Sequence, residues 1–576
     1  MADPSDVLAE RVKRALSAAF GAAEGATDPL IRPSQFADFQ ANVALPLSKR
    51  LGRGPRDIAA ELVSHLDVAD VCDPPEVSGP GFVNFRLRDD WIAAQAQEIS
   101  ADDRLGVARA ERPQNIVVEY SSPNVAKEMH VGHLRTTIVG DAIARVLEFV
   151  GHRVTRDNHL GDWGTPFGML IEHLLDVGET SAEADLLKTD PNSFYQAARR
   201  KFDTDPEFAK RSRERVVWLQ DRDPDTIRLW EELVALSREY LRRTYARLGV
   251  TLTDDDIRGE SFYRDMLDAV VADLTAGGIA VESEGALCAF PPGFSGRDGE
   301  PLPVIIRKRD GGYNYSTTDL ATIRYRVDQL GADRAIYVVG AAQALHFQMV
   351  FAVARQAGWI PAGVRFEHAQ IGNVLGADGK LLRTRAGGTI KLSQLLDEAV
   401  DRADSVIADR YEHAELRRQI AEVVGIGGVK YADLAVARES SYVFDFDRML
   451  ALNGNTGPYL QYAVARIRSI FRKAARDPAQ AAGPISFTDP AERALGLRLL
   501  GFGAAAQQVA DAAEPHRLCA YLFDVASSFT TFYEQCPVIG APSAAVKESR
   551  LALAALALRV LLAGLGLLGV RVPDRM

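Results

Sequence analysis

His130 and His133 stand three residues apart with Gly132 between them, in the stretch SSPNVAKEMHVGH that runs from Ser121 to His133. On a helix that spacing puts both imidazoles on one turn. Upstream, the apolar run Ile116, Val117, Val118 reads as a buried strand that breaks at Ser-Ser-Pro-Asn. The histidines therefore open a helix just beyond a strand, where backbone N–H groups and the helix dipole favour anions. Imidazoles at such a place can donate hydrogen bonds to phosphate oxygens as charge builds, and Gly132 lets a flat adenine lie close to the backbone. The chemistry this suits is phosphoryl or nucleotidyl transfer by positioning and electrostatics, with no protein nucleophile. Two helical histidines on their own are more often a structural pair, and it is this context that favours phosphate.

What is absent narrows the field. The sequence contains no G-x-x-x-x-G-K-[ST] phosphate loop, no G-x-S-x-G elbow and no H-E-x-x-H array, and its G-x-G-x-x-G string, Gly564 to Gly569, ends an apolar helical run and follows no strand, so it is not a dinucleotide fingerprint. Its four cysteines (Cys72, Cys288, Cys519, Cys536) are far apart, which argues against a disulfide framework or zinc knuckle and fits a reducing, cytoplasmic setting. The formal charge of −11 speaks against non-specific DNA binding but leaves room for RNA on local basic faces. The N-terminus lacks the basic and apolar regions of a signal peptide. Leu551 to Val570 is almost wholly apolar, but Arg559 at its middle is costly in lipid, so a buried bundle helix is expected and no membrane partner.

These residues need elements to hold them. At 576 residues the chain has room for about three or four domains. Residues 4–22 read as an amphipathic helix, and Phe82 to Leu87 alternates as a strand, giving a small α+β module that ends near residue 100. Phe36, Phe39, Gln40 and Asn42 lie in it beside basic turns. Asp102 to Gln114 reads as a linker. Leu134 to Val150 is a strong amphipathic helix stopped by Gly151, and a strand near Val154 leads into the Gly-rich NHLGDWGTPFGML. Strand, helix and strand in so short a span predict a βαβ unit and a parallel sheet. Residues from Ile171 to about Pro303 are charged and mostly helical in pattern, as an insertion would be. The sheet is expected to resume at Leu302–Ile306 and at Ala335–Gly340, alternating with helices over Thr318–Leu330 and Gln343–Ala357. From Leu392 onward the pattern is nearly all helical. There Tyr459, Tyr462, Arg466 and Lys473 share one face, with Arg468, Arg472 and Arg476 nearby, as an RNA-binding surface or a plain solvated helix side would.

HVGH resembles the first ATP motif of class I aminoacyl-tRNA synthetases. The longer blocks PNVAKEMHVGHLRTT, NHLGDWGTPFGML, RKRDGGYNYSTTDLA, GKLLRTRAGGTIKL and RVPDRM, in that order, resemble arginyl-tRNA synthetases of the bacterial type across nearly the whole chain. The resemblance implies a multidomain α/β fold. Its parts are an N-terminal α+β tRNA-contacting module (1–100), a Rossmann-like catalytic domain (115–391) with a helical insertion (about 171–303), a helical connecting segment (392–440) and an all-α anticodon-binding bundle (441–576). It implies an arginine–tRNA ligase (EC 6.1.1.19) that uses ATP to form arginyl-adenylate and pyrophosphate. The enzyme then transfers arginine to the 3′ end of tRNA(Arg), releasing AMP, and the first step itself needs bound tRNA. A cytoplasmic monomer is expected.

Carried over position by position, the resemblance assigns ATP to Pro123, Lys127, His130, Gly132, His133 and Lys380. It assigns L-arginine to Glu119, Ser122, Asn124, His133, Tyr315, Asp319 and Gln343, where carboxylates suit a planar fork of N–H donors. Phe39, Gln40, Tyr459, Tyr462, Arg466 and Lys473 are the tRNA-facing candidates. No metal-ligand cluster is visible, so Mg²⁺ is expected to come with the ATP phosphates. The chain departs from the family's second ATP motif, KMSKS: in Gly379-Lys380-Leu381-Leu382-Arg383-Thr384-Arg385, Lys380 fits the first lysine but Arg383 stands at the second. Either Lys127 or Arg383 itself then stands in for the second lysine, and the catalytic set the resemblance implies is Lys127, His130, His133, Lys380 and Arg383. Two other classes compete with this one, a tRNA-binding paralogue without catalysis and another adenylate-forming ligase sharing only H-x-G-H. Intact Glu119, His130, His133 and Asp319 oppose the first, and the basic, tyrosine-bearing helical C-terminal third opposes the second.

Overall fold

The computed structural model describes residues 3–125, 127–309, 311–383, 390–408, 411, 413–481 and 483–576. Its centre is a four-stranded parallel sheet in the spatial order Arg365–His368, Arg334–Tyr337, Asn115–Glu119, Arg153–Asp157. The apolar run at Ile116–Val118 fills an inner strand, buried as a parallel strand covered on both faces must be. After Asn115–Glu119 the chain crosses to Arg153–Asp157 on one side. It later returns to Arg334–Tyr337 on the other side. That reversal makes a topological switch point, and ligands bind at the carboxyl ends of strands there. In register, Tyr337, Glu119 and Asp157 form the last row of the three neighbouring strands. The helices expected after the strands form over Val131–Phe149, Tyr315–Asp328 and Ala344–Gln356.

One strand lies elsewhere than expected. Val304–Arg307 does not extend the parallel sheet. It pairs antiparallel with Ala286–Ala289, itself paired with Ala280–Ser283, in a separate three-stranded sheet. The stretch before it is therefore not purely helical: helices run from Leu186 to Leu248, and the strands follow. The alternating burial of Val304–Arg307, buried then exposed, is that of a strand with one wet face.

The N-terminal module packs the Pro4–Phe20 helix against a four-stranded antiparallel sheet that includes Phe39–Ala41 and Phe82–Phe85. The C-terminal third is a helical bundle. Its Ala544–Leu567 helix is long and apolar enough to cross a membrane and is mostly buried within the protein. Arg559, on that helix, donates to the carbonyls of Ser100 and Asp102, which ties the bundle to the end of the N-terminal module.

Candidate active site

The turn after Glu119 is backbone under constraint. Ser121 and Ser122 both hold positive φ, 70° and 46°, in a region that side chains disfavour. The fold fixes them there: Ser121 Oγ lies 2.7 Å from the Tyr245 hydroxyl and accepts from Thr137 Oγ1, while the Ser122 N–H donates to Asn158 Oδ1 at 3.1 Å. Ser122 Oγ is buried with no partner among the described residues, and Pro123 is buried beside it. Asn124 is exposed and runs against Gly161 of the NHLGDWG turn. A Cβ on Gly161 would fall 2.2 Å from Asn124 Oδ1, so this approach requires glycine.

The helix bearing the histidines begins at His130 itself. His130 Nδ1 accepts from the Gly132 N–H at 3.0 Å, and His133 Nδ1 accepts from the His130 N–H at 3.1 Å, a reciprocal capping box built from imidazoles. An imidazole whose Nδ1 accepts carries its proton on Nε2 when neutral. Both are held neutral: burial pushes the His133 pKa down to about 3, and burial, then the charge of Lys127, lowers that of His130. The ring centroids are 4.0 Å apart. Two Nε2–H donors thus stand together at the switch point.

This changes how an anion would be held. The sequence pattern points to backbone N–H groups, yet at this helix start they are taken. His130 and Gly132 donate to the histidines, Val131 to the Ile390 carbonyl and His133 to the His130 carbonyl. The imidazoles, not the main chain, are the donors left for phosphate. Gly132 also has a local reason to be glycine, because a Cβ there would sit 2.9 Å from His130 Cε1.

Lys127 is half-buried, with Nζ 4.3 Å from the centroid of the Tyr195 ring in the inserted helices. Its neighbour Glu128 pairs with Lys391 at 2.5 Å, and Lys391 reaches Asp190 at 3.1 Å. The hairpin carrying Lys380 is made by Val374–Leu375 and Leu381–Leu382, and both Lys380 and Arg383 are exposed. Residues 384–389, which include Thr384 and Arg385 of that motif, lie outside the described residues. Past them, the chain is stitched to the histidine segment by Val131 N–H to Ile390 and Leu392 N–H to Met129.

On the facing helix, Asp319 bonds His346 Nε2 at 2.6 Å, and the exposed Tyr315 packs 4.8 Å from the same imidazole. Gln343 is exposed on the turn just before His346. Glu119 is buried and bonded to Arg326 at 2.6 Å. Burial resists charging of His159, but Glu119, Asp157 and Asp319 outweigh it and raise its pKa, and burial pushes Glu260 to about 7. Arg326, His159, His346 and Glu260 escape the sequence reading. Only His159 carried a signal, its place in the NHLGDWG block.

The surface candidates divide. Phe39 is half-buried against the core, and the exposed ring of that module is Phe36, 88% accessible. Gln40 bonds Asn42. Tyr459 turns into the bundle, with its ring 5.7 Å from Phe523 and its hydroxyl 3.2 Å from Thr530, so it does not share an open face with the others. Arg466 lies between the rings of Tyr462 and Tyr533, at 4.7 and 5.0 Å, and Lys473 is exposed. Arg468 and Arg476 are engaged by Asp574 and Glu548.

The chain is similar to known proteins along its whole length. Residues 95–446 match the model of the class I tRNA synthetase (R) catalytic domain, residues 460–576 the DALR anticodon binding domain, and residues 6–87 the arginyl tRNA synthetase N-terminal domain. The chain is 63% identical to an arginine–tRNA ligase of Thermobifida fusca and 48% identical to one of Synechococcus elongatus, over the full length of both partners in each case. Among solved structures it superposes on an arginyl-tRNA synthetase of Plasmodium falciparum with a TM-score of 0.84 at 28% identity, covering all of both chains. On that of Thermus thermophilus the TM-score is 0.80 at 25% identity, with 99% of this chain and all of the other covered. With a matching catalytic domain, anticodon-binding domain and N-terminal domain in one continuous order, the chain belongs to the arginyl-tRNA synthetase family of class I.

Proposed function

We propose that the chain is an arginine–tRNA ligase whose chemistry is carried by the paired Nε2–H donors of His130 and His133. In the first step an arginine carboxylate oxygen attacks the α-phosphate of ATP, and pyrophosphate leaves in line. Negative charge grows on the equatorial oxygens, and two fixed neutral donors stabilise it without first giving up a proton. Lys127, held on Tyr195 beside them, adds positive charge. Lys380 and Arg383, exposed on the hairpin, are positioned to meet the outgoing phosphates. Pro123 and Gly132 complete the nucleotide wall.

Arginine lies between Glu119, Ser122, Asn124 and His133 on one side and Tyr315, Asp319 and Gln343 on the other. In the second step a ribose hydroxyl of the tRNA 3′ end attacks the adenylate carbonyl and AMP leaves. Mg²⁺ enters as part of the ATP complex. Among the described residues no group of three or more His, Cys, Asp and Glu side chains could hold a metal. We further assign residues 1–100 and 441–576 to tRNA contact, through Gln40 with Phe39 below it, and through Tyr462, Arg466 and Lys473 with Tyr459 supporting them. The catalytic part spans 115–391 with its insertion at about 171–303, joined by 392–440, in a cytoplasmic monomer.

The observation that carries this reading is the reciprocal histidine cap at the switch point. The test is arginine-dependent ATP–pyrophosphate exchange with and without tRNA(Arg). Exchange that appears with tRNA supports it, exchange under neither condition overturns it, and effective competition by lysine or citrulline overturns the choice of substrate.

A further inference from the structure

Beneath the arginine site the fold carries an arginine of its own. Arg326 is completely buried on the Tyr315–Asp328 helix, two turns beyond Asp319. Its Nη2 donates to Glu119 Oε2 at 2.6 Å and to Asp157 Oδ2 at 3.0 Å, and its guanidinium lies 4.5 Å from the centroid of the Tyr337 ring. Glu119, Asp157 and Tyr337 are the last row of three adjacent parallel strands, so one guanidinium closes the carboxyl end of the sheet at the switch point. Only Oε2 of Glu119 is in an ion pair among the described residues, which leaves Oε1 for a ligand.

We propose that Arg326 is a positioning residue for substrate arginine, clamping the Glu119 carboxylate by one oxygen so that the other meets the substrate cation. The inference rests on the assignment of Glu119 to arginine. A carboxylate this deeply buried resists ionisation. Burial pushes Glu119 up, Arg326 is the strongest influence pulling it back, His159 helps, and Asp157 works against it. Tyr337 and Tyr263 face the same guanidinium, while Asp319 with His346 and Glu260 with Asp162 stand around His159. Glu119 already lies above the usual carboxylate range, and without Arg326 its strongest counter-charge is gone while Asp157 remains beside it, so the protonated form is favoured further. A protonated, unaimed carboxyl is a poor acceptor for a cationic donor.

The test is exchange kinetics of the full-length chain with tRNA(Arg), reading KM for arginine and kcat from about pH 6 to 8.5. Arg326→Met is expected to raise KM about tenfold at neutral pH with kcat changed less than about threefold. The deficit shrinks toward alkaline pH as Glu119 ionises. That added slope disappears in Arg326→Met/Glu119→Gln, which separates it from titration of His159 or His346. Arg326→Lys keeps the charge but is too short to put its ammonium where Nη2 stands between the two carboxylates, so its KM falls between those of wild type and Arg326→Met, with no added slope. Wild-type KM in Arg326→Met at every pH, or a rise with no added slope, overturns the proposal. Should Arg326→Met not fold by circular dichroism, Arg326→Lys decides. A raised KM with the wild-type slope supports the proposal, and an unchanged KM, or a new slope removed by Glu119→Gln, overturns it. Glu119→Gln alone guards the underlying reading. Unchanged arginine KM there defeats the assignment of Glu119, whereas a raised KM there with wild-type behaviour in Arg326→Met defeats only the role of Arg326.

Discussion

His130 and His133 cap each other's turn: each Nδ1 accepts a backbone N–H of the same helix start, at 3.0 and 3.1 Å, and each Nε2 is thereby left as a donor. Structural and chemical duties fall on opposite nitrogens of the same rings, so they can be separated. In His130→Asn the amide oxygen can still accept from the Gly132 N–H, as asparagine does at helix starts, while the shorter side chain puts no donor where Nε2 stood. Pyrophosphate exchange should fall about a hundredfold, and stability to urea should change by less than about 0.5 kcal/mol. A loss of activity matched by an equal loss of helix stability would mean that the ring serves only as a cap.

The same geometry sets a pH dependence. The ordinary histidine value is 6.5 and that of folded His133 is about 3, lowered chiefly by burial. Between those values the unfolded chain binds the proton and the folded one does not. Stability from this group is therefore complete above pH 6.5 and is lost progressively as pH falls toward 3. Chemical unfolding followed from pH 7 downward should show a decline that is shallower in His133→Asn, while kcat for exchange shows no break near pH 6.5 that His133→Asn removes. A catalytic titration at that pH, abolished by the substitution, would contradict the neutral-donor assignment.

Lys127 bears on the departure from the KMSKS pattern. Its charge lowers the pKa of both histidines, which places it electrostatically within their site, and Tyr195 holds its ammonium at 4.3 Å. Lys127→Ala should reduce adenylate formation by about a hundredfold or more and leave the fold intact, as judged by circular dichroism. Exchange at the wild-type rate would sink the idea that Lys127 compensates for the missing second lysine.

How much of this was legible beforehand depends on where each signal resides. The histidine turn was readable because strand break, glycine and histidines are adjacent in sequence. The Val304–Ile306 run is legible as a strand but its sheet is not, since a short apolar run looks the same in a parallel or antiparallel ladder and its partner Ala286–Ala289 gives a weak pattern. Phe39 and Tyr459 are tRNA-facing candidates in the sequence although their rings pack inward, because composition does not say which side of an element faces water. Arg326 was invisible for the same reason: a helical arginine is ordinarily a surface residue, and only the pairing of three distant strands shows why this one is buried.

Gly161 offers a test of the arginine side that leaves the nucleotide side alone. Gly161→Ala introduces a Cβ that would lie 2.2 Å from Asn124 Oδ1, so the Asn124 side chain must move. The turn itself can remain, because the Val125 N–H donates to the Gly161 carbonyl at 3.1 Å and the Gly161 N–H to the Pro123 carbonyl at 3.2 Å. The expected result is a rise of about tenfold in KM for arginine with KM for ATP within about twofold of wild type. An equal rise in both would show that Asn124 supports the whole turn and does not contact arginine.

A last relationship links the histidine helix to the bundle. Arg135, less than one turn beyond His133, is buried against Asp433 at 2.9 Å, and the Tyr442 hydroxyl donates to the other oxygen of Asp433 at 3.0 Å. Tyr442 begins the two-residue strand paired with Val374–Leu375, which leads directly into the Lys380 hairpin. Asp433 sits on the Ala414–Leu434 helix, which packs on the Gly457–Ala474 helix. One buried carboxylate therefore ties together both ATP-facing segments and the start of the bundle. Asp433→Ala leaves the Arg135 charge buried without its partner and should cost about 3–5 kcal/mol in urea unfolding. Tyr442→Phe removes one hydrogen bond to the same carboxylate and should cost only about 1 kcal/mol. If the tie positions the hairpin, Tyr442→Phe also raises KM for ATP several-fold in exchange while KM for arginine stays put. Unchanged ATP kinetics in a folded Tyr442→Phe protein would reduce this node to a structural brace.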